Sequence, residues 1–143
     1  MGRWGGFAVK VRVMDVYFEA AHYTGFSDEY NYLHGHTYKI DVEYEAELGG
    51  GDYLMDFEAI NSVVQGVARR WNYKLLVPEG DVGRIEIRAP FKVEIKPVRG
   101  RYATAEVICR QLLEEVRGGI GRSDGRLSLT VWEGPRYAAQ CSE

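Results

Sequence analysis

Residues 36–47 read HTYKIDVEYEAE, and this stretch decides the fold class of the chain. Aromatic and aliphatic side chains at the even positions alternate with polar ones at the odd positions, among them Lys39, Asp41 and Glu43. A period of two is typical of a β-strand with one buried face and one wet face. The stretch therefore predicts a strand of an antiparallel sheet, which the three glycines at 49–51 end.

Further elements are predicted on either side of this strand. Residues 7–19 alternate in the same way and predict an earlier strand. Apolar residues recur at helical spacing between Phe57 and Trp71, with Asp56 as the N-cap, and again in a helix that Thr104 caps and that stops at glycines 118 and 119. The other predicted strands are 84–88 and 91–96, broken at Ala89-Pro90, then 126–133 and a short one at 137–139.

The predicted order is β-β-α-β(β)-α-β. Alternating strands interrupted by helices favour an α+β fold, with an antiparallel sheet and both helices on one face. The other face then lies in water or meets another chain. No linker, repeat or low-complexity tract interrupts the sequence, so residues 1–143 are predicted to form a single domain.

Composition excludes several classes of protein. Charged residues are 27% and hydrophobic residues 45% of the 143, as in globular domains, so disorder is excluded as the main interpretation. A net charge of −3 argues against a nucleic-acid or acidic-membrane partner. No apolar run could span a bilayer or serve as a signal peptide. Cys109 and Cys141 lack a CxxC spacing and are interpreted as a packed thiol and a tail thiol. We therefore expect a cytoplasmic protein.

All three histidines of the chain lie between positions 22 and 36. If the backbone of residues 34–36 is extended, the side chains of His34 and His36 point the same way. His22 follows the first predicted strand. Pairing of the two strands would bring the three imidazoles together. Three neutral imidazoles around a tetrahedral zinc ion leave a fourth position for water or substrate, as in catalytic sites. The alternative is that three surface or capping histidines merely cluster.

Four segments resemble the 6-pyruvoyl-tetrahydropterin synthase family, which includes 6-carboxy-tetrahydropterin synthase. They occur in the family's order along nearly the whole chain. The segments are Phe18-Glu19-Ala20-Ala21-His22 with Leu33-His34-Gly35-His36-Thr37-Tyr38, Leu54-Met55-Asp56-Phe57, Tyr102-Ala103-Thr104-Ala105-Glu106, and Val131-Trp132-Glu133 followed by Tyr137.

The resemblance implies a T-fold, in which two helices cover one face of a four-stranded antiparallel sheet. It also implies trimers that stack into a hexamer, with active sites at subunit interfaces and Zn²⁺ as the cofactor. The substrate would be a pterin. In the family, the glutamate that matches Glu133 binds the amino-pyrimidine edge of the pterin. Thr104 and Glu106 match residues that line the family's pocket.

The sequence departs from the family at the residues that move protons. Tyr30 stands where the family has its catalytic cysteine, and Asn72 and Tyr73 stand where it has an Asp-His pair. Glu29, Tyr30 and Tyr73, with Asp28, are the remaining candidates for the catalytic base.

Two hypotheses follow. The first is a zinc-dependent lyase that acts on a dihydropterin such as 7,8-dihydroneopterin triphosphate, either by triphosphate elimination or by side-chain cleavage. The second is a zinc- and pterin-binding homologue without that activity. A third and weaker interpretation is a zinc hydrolase with another substrate.

Overall fold

The computed structural model describes residues 6–28 and 31–143, which form six strands and two helices. In chain order these are β1 (Ala8–His22), β2 (His34–Glu47), α1 (Phe57–Trp71), β3 (Lys74–Pro78), β4 (Glu94–Val98), α2 (Ala105–Gly119), β5 (Arg126–Glu133) and β6 (Ala138–Ser142). A short 3₁₀ helix at Glu79–Arg84 joins β3 to the segment before β4. Neither α-helix of the described residues is long and apolar enough to cross a membrane.

The strands form one sheet in the order β4-β3-β1-β2-β5-β6. The last four of these, β1-β2-β5-β6, pair antiparallel, as predicted. The four-stranded sheet that the family resemblance implies is smaller than the one observed, because β3 and β4 extend the sheet beyond β1 and both pair parallel. The sheet is therefore mixed, and β4 and β6 are its edges.

The missed strand β3 reads Lys-Leu-Leu-Val-Pro, and four of its five residues are buried. A parallel strand that is covered on both faces carries a continuous apolar run rather than an alternation, so periodicity did not reveal it. The predicted strand at 84–88 is wrong, because residues 85–93 are irregular. The predicted strand at 91–96 forms as β4, three residues later at its start.

Strand β1 changes its buried face partway along. Val11 and Val13 are buried at odd positions, whereas from Val16 to His22 the buried positions are even. A β-bulge between Val13 and Val16 produces this change, and Asp15 at its centre has a φ of 60°. The bulge brings the second half of β1 into phase with β2, whose buried positions are all even.

Both helices pack on the same face of the sheet, as predicted, and enclose the core. Asp56 caps α1 by accepting a hydrogen bond from the amide of Glu58 at 3.1 Å, and Thr104 caps α2 by accepting one from the amide of Val107 at 3.4 Å. The fully buried Trp71 at the end of α1 contacts the β1 side chain of Phe18 across 5.9 Å between ring centroids. The α+β class is thus confirmed.

The interpretation of the cysteines was wrong. Cys109 of α2 and Cys141 of β6 form a disulfide, with their Cα atoms 6.2 Å apart. Cys109 is indeed packed, being fully buried. The fold brings β6 beneath α2, and a spacing of 32 residues in sequence gives no sign of that proximity.

Candidate metal and pterin site

The three histidines converge at one end of the β1–β2 pair, where the connection between the two strands leaves β1 and enters β2. His22, the last residue of β1, lies directly opposite His34, the first residue of β2, and His36 lies opposite Ala20. The ligand atoms of the three rings all lie within 4.8 Å of one another. The Nε2 atoms of His22 and His36 are 3.1 Å apart. The predicted convergence is therefore present.

Backbone carbonyls fix the orientation of two of the rings. Nδ1 of His22 lies 2.8 Å from the carbonyl oxygen of Ala103, and Nδ1 of His34 lies 2.7 Å from that of Tyr32. A carbonyl can only accept, so each Nδ1 carries the proton and donates it. Each Nε2 is left with a free lone pair, which is the arrangement that metal-binding imidazoles use.

Burial keeps the two inner imidazoles neutral. It lowers the pKa of His22 to about 4, and it lowers the pKa of His36 as well, with the neighbouring histidines acting in the same direction. Neutral imidazole is the form that coordinates a metal. His22 is buried, His36 is half-buried and His34 is exposed, so the cluster opens to one side. Three nitrogen donors with an open position fit a catalytic zinc ion.

Glu133 ends β5 beside this cluster. Its Oε2 lies 3.8 Å from Nε2 of His36. Burial raises the pKa of Glu133, the charge of His34 opposes that change, and the charge of Glu106 adds to it. The structure thus places Glu133 next to the histidines. Glu106 is close enough for its charge to affect the pKa of Glu133.

The start of α2 lies close to both His22 and Glu133. Thr104 caps the helix, Glu106 is exposed in its first turn, and Ala103 just before the cap holds His22. The hydroxyl of Thr104 accepts from an amide of its own helix, which is a structural role. Thr104 and Glu106 therefore lie at the same end of the sheet as the histidines.

Tyr73 lies to one side of this cluster. It lines a cavity of about 750 Å³ that His36 also lines, and its side chain is 79% exposed. Its φ of 59° is uncommon for a residue with a side chain. Two hydrogen bonds hold that backbone to β1: the amide of Tyr73 donates to the carbonyl of Glu19 at 2.6 Å, and the amide of Glu19 donates to Asn72 Oδ1 at 2.8 Å.

The remaining candidates for the base lie in the connection between β1 and β2. Glu29 and Tyr30 fall outside the described residues. Asp28 is exposed, and its backbone carbonyl accepts from the amide of Asn31 at 3.4 Å.

Tyr38 lies beside this cluster and was not among the residues predicted for the site. It is fully buried, its ring lies 5.4 Å from that of His36, and it pairs across the sheet with Glu133. Its hydroxyl has no hydrogen-bond partner among residues 6–28 and 31–143. The spacing could have predicted that Tyr38 shares a face with His36, because residues two positions apart on a strand point the same way, but it gives no sign of the unpartnered hydroxyl.

Comparison with known proteins agrees with this geometry. Residues 11–143 match the family described as 6-pyruvoyl tetrahydropterin synthase. The chain is 28% identical over 123 residues to dihydroneopterin monophosphate aldolase of Pyrococcus furiosus, covering 86% of this chain and 89% of that protein. It is 27% identical over 119 residues to a protein of Pyrococcus horikoshii provisionally named 6-carboxy-5,6,7,8-tetrahydropterin synthase, covering 76% and 73%. The solved 6-pyruvoyl tetrahydropterin synthase of Plasmodium falciparum superposes with a TM-score of 0.81 at 17% identity, covering 95% of this chain and 98% of that one.

Proposed function

Because the chain belongs to the 6-pyruvoyl tetrahydropterin synthase family, we propose that it is a zinc-dependent lyase that acts on a dihydropterin such as 7,8-dihydroneopterin triphosphate. One observation carries the proposal. Three imidazoles whose ligand atoms lie within 4.8 Å of one another stand beside a half-buried carboxylate, that of Glu133. A metal-binding cluster and a carboxylate that can recognise a pterin edge are therefore next to each other.

His22, His34 and His36 hold the zinc ion in this proposal. When bound, zinc lowers the pKa of a substrate hydroxyl and polarises a carbonyl. The chain's own contribution is orientation. The carbonyls of Ala103 and Tyr32 hold the Nδ1 protons of His22 and His34, which leaves the Nε2 atoms of these two rings available to bind the metal.

Glu133 binds the amino-pyrimidine edge of the pterin. A carboxylate accepts two parallel hydrogen bonds from a ring N–H and an adjacent NH₂ group, as it does from a guanidinium. Burial around Glu133 strengthens such bonds, because little water competes for the carboxylate. Thr104 and Glu106 are the further substrate-binding residues of this proposal, supported by their place at the start of α2 next to Ala103, which holds His22.

The reaction would also need a base that removes and returns protons at carbon atoms of the pterin side chain. Glu29, Tyr30 and Tyr73 are the candidates for it. Tyr73 is supported by its place on the cavity that His36 also lines and by its backbone, held at a positive φ by two hydrogen bonds to β1. Positive φ at a non-glycine residue is often found at functional sites.

The reaction is either triphosphate elimination or side-chain cleavage. Relatives of similar identity carry names of both kinds, a tetrahydropterin synthase and a dihydroneopterin monophosphate aldolase. The second candidate function is zinc and pterin binding without turnover. The replacement of a thiol by Tyr30 and of an imidazole by Tyr73 favours it, because a phenol is a much weaker base than an imidazole at neutral pH.

We also propose that the protein assembles as a trimer or hexamer. In the described part of the chain no further strand pairs with the outer sides of the edge strands β4 and β6. The sheet face away from the helices carries charged side chains such as Lys39, Asp41 and Glu43. Closure of several sheets into a barrel would pair those edges. The cytoplasmic location stays a prediction.

Turnover by the zinc-loaded protein tests the proposal. Incubation with 7,8-dihydroneopterin triphosphate should release either inorganic triphosphate or a two-carbon aldehyde, and chromatography of the pterin product distinguishes them. Glu29→Gln, Tyr30→Phe and Tyr73→Phe identify the base, with Tyr53→Phe as the control, since Tyr53 is similarly exposed at 76% but follows the far end of β2. Binding of neopterin without any turnover would support the non-catalytic function instead.

A further inference from the structure

We propose that the hydroxyl of Tyr38 is a positioning group for Glu133: when a pterin binds, it donates a hydrogen bond to the Glu133 carboxylate and holds it toward the ligand. This inference rests on the proposed pterin-binding role of Glu133. It concerns a residue that does not itself touch the metal or the reacting atoms.

The two groups are complementary and unsatisfied in this structure. The Tyr38 hydroxyl is buried and has no hydrogen-bond partner among the described residues. The Glu133 carboxylate has no donor within hydrogen-bond distance in the same part of the chain, since 3.8 Å to His36 Nε2 is too long. A buried polar group without a partner lowers stability, and native proteins contain few of them. The expected explanation for such a group is a partner that arrives with another state of the site.

Strand pairing places the two side chains together. Tyr38 of β2 and Glu133 of β5 are direct partners across an antiparallel ladder, so they lie on the same face with Cβ atoms about 5 Å apart. The phenol ring is fixed from both sides. It stacks on Phe18 at 4.9 Å with an interplanar angle of 7°, and it lies edge-on to His36 at 5.4 Å. The carboxylate is therefore the part that moves, and the hydroxyl is a fixed point for it.

The chemistry of the pair assigns the donor. A phenol hydroxyl keeps its proton at neutral pH and a carboxylate has no proton to donate, so Tyr38 donates and Glu133 accepts. A carboxylate has about four lone-pair sites, and a pterin edge uses two of them. One site remains for the Tyr38 hydroxyl without competition from the ligand.

Tyr44 is a matched control within the same strand. It is also fully buried and lies on the same face of β2, six residues from Tyr38. Its hydroxyl, however, donates to Asp124 at 2.7 Å, so its hydrogen bond is already made in the free protein. Removal of each hydroxyl by mutation to phenylalanine should therefore have opposite consequences.

The experiment compares the wild type with four zinc-loaded variants: Tyr38→Phe, Tyr44→Phe, Glu133→Gln and the double variant Tyr38→Phe/Glu133→Gln. Calorimetric titration measures their affinity for neopterin, and thermal unfolding without ligand measures their stability. Tyr38→Phe should bind neopterin about tenfold or more weakly and melt at or above the wild-type temperature. Tyr44→Phe should melt at a lower temperature and bind neopterin normally. In the Glu133→Gln background, Tyr38→Phe should cause no further loss of affinity.

Each other outcome overturns the inference. Unchanged neopterin affinity in Tyr38→Phe would leave the proposed function intact but remove Tyr38 from it. A further loss in the double variant would mean that the hydroxyl acts on something other than Glu133. A lower melting temperature for Tyr38→Phe would mean that the hydroxyl already has a partner in the free protein. Failure of the wild type to bind neopterin would overturn the proposed pterin site, and this inference with it.

Discussion

Replacing Cys141 with serine removes the disulfide to Cys109 and should cost the protein a large part of its stability. The bond closes a loop of 32 residues between α2 and the edge strand β6. In the chain-entropy account, cross-linking a loop of that length destabilises the unfolded chain by about 3.7 kcal/mol. Unfolding of 143 residues carries an entropy of about 300 cal/mol/K, so the expected drop in melting temperature is about 12 °C.

Differential scanning calorimetry at one fixed protein concentration measures this drop, because melting of an oligomer depends on concentration. Wild-type protein in reductant is the first control and should melt near the Cys141→Ser variant. The variant itself should not respond to reductant. Zinc content should not change, because neither cysteine belongs to the histidine cluster. Two free thiols titrated in the unreduced, denatured wild type, or equal melting temperatures with and without reductant, would refute the reasoning.

Three further outcomes are expected. Purified protein should contain one zinc ion per chain by elemental analysis, and His34→Ala should lose most of it; full occupancy in that variant would remove His34 from the ligand set. Glu133→Gln should weaken neopterin binding by roughly a hundredfold and leave the zinc content unchanged. The amide turns one acceptor into a donor, which faces the pterin's own donors, and each charge-assisted bond that is lost contributes about 1.5–3 kcal/mol. Light scattering at micromolar concentration should give the mass of a trimer or hexamer, and a monomer would contradict the proposed barrel.

The sequence predicted the parts of the fold that have a strong period. Strand β2 and both helices follow from alternation, helical spacing and the caps Asp56 and Thr104. Strand β3 did not, because a short apolar run in a parallel position has no period to detect. The prediction at 84–88 failed for the opposite reason: its residues alternate, but no strand within residues 6–28 and 31–143 pairs with them.

The candidate site, like the fold, was predicted only in part. The three histidines could be placed together because pairing of two neighbouring strands fixes which residues face each other. The disulfide and the pairing of Tyr38 with Glu133 depend on which distant elements become neighbours, and that is set by the packing of the whole domain. Tyr38 also looks like any other aromatic core residue in sequence, since its unsatisfied hydroxyl is visible only in three dimensions.

The bulge at Asp15 makes the histidine cluster depend on a residue seven positions away from it. If residues 11–22 formed a regular strand with the same number of residues, His22 would lie on the opposite face from Val13, nine positions earlier, and so away from His34 and His36. Deleting residue 14 or 15 should therefore turn the bulge into regular strand and preserve the triad, because Val16 stays opposite Ile40 and His22 stays opposite His34. A one-residue deletion between Val16 and His22 would instead turn His22 to the other face, so the position at which β1 tolerates a change of length is the bulge itself.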